Sequence, residues 1–283
     1  MTYEATPLNV IIVNYCTPDL VVNCVNSIVS NGIAAIRDIV VVDSCSPDNS
    51  YTELRERLAN AKVVQAKKNA GYGAGVNLGA THCTSKILLV LNPDTYFEDN
   101  SICGAIEVFK ADSRVAVAGL DLLYPNGARQ YSSRRFYSCL EIIGRRTPFG
   151  RHWPLKSRID SHLMKSSWET GQPFEADWVM GTGLLVRRDV FAAIGGMDEA
   201  YFLYMEDVDL CARVWEAGFK VLCVPGARLI HDHQRSSVKP FSSAGRAHLK
   251  SLLRFHGKFG VPILNPPNRV VAPAKRSVAR GAA

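Results

Sequence analysis

Residues 87–94 read ILLVLNPD: an apolar run from Ile87 to Leu91, the turn formers Asn92 and Pro93, and then the acid Asp94. A short unbroken apolar run bounded by turn residues is how a strand buried on both faces reads. Pro93 has no N–H to donate to a ladder, so the strand stops before it. The run is therefore a parallel-strand candidate with a carboxylate at its carboxyl end.

The same pattern recurs upstream. Val10-Ile11-Ile12-Val13 is a β-branched run, and Thr17-Pro18-Asp19 after it supplies a capping residue and a proline at the first helical position. Val21, Cys24, Val25 and Ile28 then recur at helical spacing until Asn31-Gly32. Ile39 to Val42 is a second strand, stopping at Asp43; a polar loop over 44–50 leads to a helix over about residues 51–60, and Val63-Val64 is a third short strand. Downstream, Trp178 to Val186 is apolar again. Met205 to Gly218 reads as a helix with Val208, Cys211, Ala212 and Trp215 on one face, Val221 to Val224 as a strand, and Ser242 to Gly260 as a helix. Strand–helix alternation predicts an α/β fold, a Rossmann-like, mainly parallel twisted sheet with helices on both faces. Ligands of such sheets bind beyond the carboxyl ends of the strands, where Asp43 and Asp94 both fall.

The bulk properties bound the function. The chain has 283 residues, 47% of them apolar, which fits one large domain with a full core. Its net charge of +7 suits nucleic acid, anionic lipid or a phosphate-bearing substrate equally. No nucleic-acid recognition motif accompanies it, so no nucleic-acid partner is expected. The excess collects in the middle, at Arg134, Arg135, Arg145, Arg146 and Arg151, and in the tail, at Arg269, Lys275, Arg276 and Arg280. None of the eight cysteines forms a Cys-x-x-Cys pair, which argues for buried reduced thiols and against structural zinc. There is no basic-then-apolar leader and no run of the ~18–20 apolar residues needed to cross a bilayer. A cytoplasmic protein with peripheral contact at the inner face of the membrane is expected. The segment 124–172 is basic, aromatic and irregular, an excursion bordering the site. After Pro262 a basic tail is expected to be disordered.

Several residues can carry chemistry. Asp94 can reach a divalent cation, since a hard cation that also binds diphosphate oxygens needs few protein ligands; Asn-Pro-Asp is equally ordinary turn chemistry. Asp43 can hydrogen-bond a nucleoside or cap the loop after it. Asn69-Ala-Gly-Tyr-Gly-Ala-Gly-Val-Asn77 can bring backbone amides to a nucleotide, although a flexible loop is its plainer reading. Glu206-Asp207-Val208-Asp209 opens a helix, where acids are favoured by the dipole. Three acids exceed what capping requires, and Asp209 can pair with Arg213 one turn on. Glu206 and Asp207 are left over, and a carboxylate base needs only hydrogen-bond reach to its proton. His231 and His233 point the same way if extended and could ligate metal, or form a plain surface pair. The arginine pairs read as solvated charge.

Taken in order, VIIVNY, VVVDSCSPDNS, NAGYGAGVN, LLVLNPDT and GTGLLVRRDVFAAIGGMDEAYFLYMEDVDLCARVWEAGFK with a histidine beyond it resemble the family 2 glycosyltransferases of the GT-A fold, over roughly residues 8–235. The bacterial rhamnosyltransferase-like branch, whose members often use dTDP-L-rhamnose, is the most similar in flavour. The resemblance implies an inverting transferase with residues 1–120 as the nucleotide-sugar half, 121–260 as the acceptor and catalytic half, and 261–283 as a tail. Val13 and Tyr15 would border the nucleobase, Asp43 would bind it or the ribose, and Asn69, Gly71, Tyr72 and Asn77 would wall the nucleotide. Asn92-Pro93-Asp94 would replace the family's Asp-x-Asp, so only Asp94 offers a full carboxylate to Mg2+ or Mn2+, with His231 completing the metal site. Asp207 would be the base, and Glu206, Trp178, Gly181 and Thr182 would meet the acceptor, a saccharide or polyprenyl-diphosphate-linked saccharide. The rivals are a sugar nucleotidyltransferase, against which the lack of a basic loop after the first strand argues, and a non-catalytic nucleotide-sugar-binding protein.

Overall fold

The computed structural model describes residues 8–138, 140, 152, 154–232 and 243–260. Arg145, Arg146, Arg151, His233 and the tail over 261–283 lie outside the described residues. The first half alternates as expected: β1 (Leu8–Asn14), α1 (Pro18–Ser30), β2 (Ile39–Asp43), α2 (Ser50–Arg57), β3 (Lys62–Gln65), α3 (Tyr72–Ala80) and β4 (Ile87–Leu91). Then come β5 (Thr95–Tyr96), α4 (Cys103–Ala111), β6 (Val115–Leu123) and β7 (Ser133–Arg134). Two short helices, α5 (Leu155–His162) and α6 (Lys165–Glu169), lead to β8 (Phe174–Glu175), β9 (Trp178–Val179) and β10 (Gly183–Arg187). The chain continues through α7 (Arg188–Ala193), α8 (Glu206–Glu216), β11 (Lys220–His231) and α9 (Ser243–Phe259).

The main sheet runs β3-β2-β1-β4-β10-β6-β11-β5, with β8 also on β11, while β7 and β9 form a separate ribbon. Strands β1 to β4, β6 and β11 point one way, and β5, β8 and β10 the other. The sheet is thus mainly parallel, with antiparallel β10 wedged between β4 and β6. Strand β6 crosses residue 120, so both halves of the chain share one sheet.

Because side chains alternate across a strand, each buried run feeds two cores. Val10, Ile12, Ile39, Val41, Leu89 and Leu91 face α1, α2 and α4. Ile11, Val13, Val40, Val42, Leu88 and Val90 face α3, α7 and α8. Val13 is therefore a core residue, packed beneath α3 rather than presented to a ligand.

Two local readings are corrected. Thr17 makes no side-chain cap; Asn14 Oδ1 accepts from the Thr17 N–H at 3.1 Å and its hydroxyl at 3.0 Å. The glycine-rich stretch is mostly helix, not a flexible loop. Gly71 (φ 99, ψ 174) occupies backbone space essentially open to glycine alone, and α3 starts directly after it. A Cβ on Gly75 would sit 2.7 Å from Val13 Cγ1, so glycine lets this helix lie closer on β1 than any other residue permits. Of the cysteines, Cys24, Cys83, Cys211 and Cys223 are buried free thiols as expected, but Cys16, Cys45 and Cys103 are exposed.

Candidate active site

At the carboxyl end of β4 the turn is pinned from several sides. The Asn92 N–H donates to the Thr182 carbonyl at 3.0 Å, the Thr95 hydroxyl to the Asn92 carbonyl at 2.7 Å, and the Asp232 N–H to the Asp94 carbonyl at 3.0 Å. These bonds bring Asp94 beside the end of β11, where His231 Nε2 lies 3.3 Å from Asp94 Oδ2.

Gln130 decides which nitrogen of His231 faces the acid. Its Nε2 donates to the carbonyls of His231 (2.8 Å) and Leu123 (3.1 Å), which leaves Oε1 as the end 2.8 Å from His231 Nδ1. Oε1 can only accept, so Nδ1 carries the proton, and a neutral ring then turns the Nε2 lone pair toward a carboxylate. Asp94 Oδ1 is buried and meets no hydrogen-bond donor among the described residues. An oxygen and an imidazole nitrogen so placed fit a divalent cation that takes its other ligands from phosphate oxygens and water. No group of three or more His, Cys, Asp or Glu suited to a metal occurs among the described residues.

The second acidic feature sits at the start of α8. Tyr204 (φ 68) and Met205 (φ 71) both adopt the left-handed region just before it, an uncommon backbone for non-glycine residues. The turn they make aims Asp207 at the β9–β10 connection: its Oδ2 accepts the Gly181 N–H at 2.9 Å, while Oδ1 accepts the Val208 N–H at 2.8 Å. The Tyr72 hydroxyl donates to the Gly181 carbonyl at 2.9 Å. Burial, and then the charges of Glu206, Asp207 and Asp94, push the Tyr72 hydroxyl well above its ordinary range.

Glu206 is buried, with Oε2 lacking a donor among the described residues. Burial first, and the Asp207 charge second, push its carboxyl up to about 8. Burial also raises Asp207, opposed by its two backbone N–H bonds and by the Arg134 guanidinium. Neighbouring carboxyls perturbed by burial and by each other are a common arrangement for acid–base work.

These groups share a cavity of about 370 Å3, whose walls include Tyr72, Asn92, Asp94, Gly181, Thr182, Glu206, Asp207 and His231. Trp178, also in its wall, is held by its Nε1–H donating to the Arg135 carbonyl at 3.0 Å. Eight further wall residues are not among those expected from the sequence, four of them polar or aromatic: Arg134, Tyr137, Tyr204 and His248. Arg134 lies over the Trp178 ring at 5.0 Å, a contact rather than the solvated charge its sequence setting indicates.

The expected nucleotide-wall residues are not all brought together. Asp43 is fully buried, its carboxylate taken up by Asn14 Nδ2 (2.8 Å), the Ser46 hydroxyl (2.6 Å) and the Ser46 N–H (3.0 Å), the loop-capping alternative. Tyr15 is half-exposed at the sheet rim. Asn69 accepts the Gly71 N–H at 3.1 Å in a tight turn. Asn77 uses its amide on the Met197 backbone (2.9 and 2.8 Å) and Glu199 (3.0 Å). Gly71 and Asn77 line a second hollow of about 300 Å3 with Ser44, Lys67 and Lys68.

Solved structures share this architecture. GalNAc-T7 with UDP, GalNAc and Mn2+ superposes with a TM-score of 0.62 at 16% identity, covering 90% of this chain and 48% of that one. The mannosyltransferase PcManGT from Pyrobaculum calidifontis, in complex with GDP-Man and Mn2+, gives 0.57 at 14% identity, over 83% of this chain and 59% of that one. The chain thus spans about half to three-fifths of those solved chains. Sheet order and superposition together define the GT-A fold. The family model for glycosyl transferase family 2 matches residues 9–178, and the chain belongs to that family. A model for the N-terminal domain of galactosyltransferase matches residues 161–235. Curated relatives include the N-acetylglucosaminyl-diphospho-decaprenol L-rhamnosyltransferase of Mycobacterium tuberculosis, 28% identical over 77% of this chain and 73% of that protein. The rhamnosyltransferase WbbL of Escherichia coli is 28% identical over 65% of this chain and 69% of its own length.

Proposed function

We propose that the chain is an inverting, divalent-cation-dependent transferase that moves L-rhamnose from dTDP-rhamnose to a polyprenyl-diphosphate-linked saccharide in cell-surface polysaccharide synthesis. The observation that carries this reading is one cavity with Asp207 anchored on one wall and the Asp94–His231 pair on another. The names of the two curated relatives support the sugar and, in one case, the lipid-linked acceptor.

Asp207 acts as the base. Each of its oxygens accepts one backbone N–H, which fixes the carboxylate and leaves lone pairs for an incoming hydroxyl. The acceptor oxygen loses its proton to Asp207 and attacks the anomeric carbon from the face opposite the nucleotide. The bond from that carbon to the diphosphate oxygen breaks with its electron pair leaving on oxygen, so configuration inverts. A cation held by Asp94 and His231 would supply charge neutralisation for the departing diphosphate. Glu206, kept protonated by burial, can donate a hydrogen bond to the acceptor, while Arg134 favours the ionised form of Asp207. Trp178, Gly181 and Thr182 wall the acceptor side. Tyr15 at the rim and Asn92 in the cavity wall would border the nucleoside, with Asp43 acting from behind by holding Asn14 and Ser46 in place.

The test is transfer from dTDP-rhamnose to a short-chain prenyl-diphospho-saccharide, with the product anomer read by NMR. An inverted rhamnosyl linkage formed only with Mg2+ or Mn2+ supports the reading. Transfer from other nucleotide sugars alone, or retention of configuration, contradicts it.

A further inference from the structure

Helix α9 has two faces in different surroundings. On the inner side His248 enters the cavity wall with its ring 4.9 Å from that of Tyr204, the Ser251 hydroxyl donates to the Leu203 carbonyl at 2.9 Å, and Phe255 is buried against Phe136. Arg254 and Lys258 pair with Asp198, and Lys258 also with buried Asp209, so these two cations hold the helix to the body. On the outer side Leu249 and Leu253, one turn apart, are 52% and 63% exposed. Exposed Arg246 and Lys250 flank them, and neither has an acidic partner among the described residues.

The stretch of sequence that carries this helix is one-signed in charge. Residues 233–283 contain ten of the chain's 33 Lys and Arg and none of its 26 Asp and Glu. Taken together, the remainder of the chain is slightly acidic, so this segment decides the sign of the net charge. Apolar side chains set among unpaired cations on one helical face match a surface that is oily beneath and negative on top.

We propose that the Arg246–Leu249–Lys250–Leu253 face of α9 docks on an anionic lipid bilayer. This rests on the reading of a lipid-linked acceptor and extends it: His248, next to Leu249 in the chain, lines the cavity, so docking brings the cavity close to the lipid headgroups. A second copy of the chain is the poorer occupant. A two-fold pairing of this face would set Arg246 and Lys250 against their own copies, and two leucines fall far short of the ~800 Å2 per partner of a stable interface.

The experiment is co-sedimentation of the full chain with vesicles of phosphatidylcholine alone or with about 30 mol% phosphatidylglycerol, where the surface potential is substantial. Three variants are compared: L249S/L253S, R246E/K250E, and a tail variant R269Q/K275Q/R276Q/R280Q. Melting curves and transfer to a short-chain, water-soluble acceptor monitor the fold. The expected result is binding to the anionic vesicles that weakens with salt and falls at least about tenfold in both helix variants, with melting and soluble-acceptor turnover kept. Helix variants that bind like the parent, or loss of binding only in the tail variant, would overturn the proposal. So would a dimer broken by L249S/L253S with no vesicle binding by the parent. If vesicle binding holds but no prenyl-linked saccharide is glycosylated, the acceptor reading fails and the docking surface stands.

Discussion

Gln130 Oε1 lies 2.8 Å from His231 Nδ1, and the same amide donates to the His231 carbonyl, so one side chain fixes both the tautomer and the position of the histidine. An amide that orients a metal-binding imidazole typically changes metal affinity about 10–100-fold when removed. Gln130→Ala is expected to raise the Mn2+ concentration needed for half-maximal transfer by that factor, with activity returning at saturating metal. The same titration followed by thermal shift should move in parallel. An unchanged metal requirement would show that Asp94 holds the cation without His231.

Glu206 makes stability depend on pH. The unfolded chain releases this proton near 4.5, whereas the folded chain keeps it up to about 8. Between those values the native state binds more protons than the unfolded state, so stability falls as pH rises through the window. Glu206→Gln retains the neutral form at every pH. It should melt like the parent near the lower end and be more stable at the upper end, by on the order of a few kcal/mol. Chemical denaturation across the window measures this, and parallel curves for the two proteins would exclude a protonated Glu206.

Arg134 opposes the upward push on the Asp207 carboxyl. In Arg134→Gln the base should hold its proton to higher pH, moving the acidic limb of kcat/KM upward. Identical pH profiles would mean that this guanidinium serves packing on Trp178 alone.

Gly71→Ala tests the entry to α3. The backbone there (φ 99, ψ 174) is open to glycine, and a Cβ would run into the Phe202 backbone. The variant should lose about 2 kcal/mol or more in urea unfolding. A neutral effect would contradict this close approach.

Much of the fold is legible in the sequence because buried parallel strands leave unbroken apolar runs, as at 87–91 and 39–42. Strand β6 is harder to see, since Gly119 and Asp121 interrupt VAVAGLDLL. Helix α3 is hidden for a packing reason: Gly73, Gly75 and Gly79 lower its propensity but permit close contact with its neighbours. The acids at 206 and 207 stand out because they exceed what a helix cap requires, and Asp94 because it ends a buried apolar strand. Gln130, Arg134 and His248 do not, because each acts through contacts far along the chain; Gln130 reaches His231 across 101 positions. Asp43 carries the opposite lesson. A carboxylate at a strand end can be engaged by its own loop and by the neighbouring strand.

The account rests most heavily on Asp207 as the base. Asp207→Asn keeps an oxygen to accept the Gly181 or Val208 N–H but cannot take a proton from the acceptor. The decisive measurement is steady-state rhamnosyl transfer by this variant alongside calorimetric binding of dTDP-rhamnose. The prediction is a kcat about 10²–10⁴-fold below the parent with donor affinity unchanged. Turnover within a few-fold of the parent would contradict it and move the base to another residue.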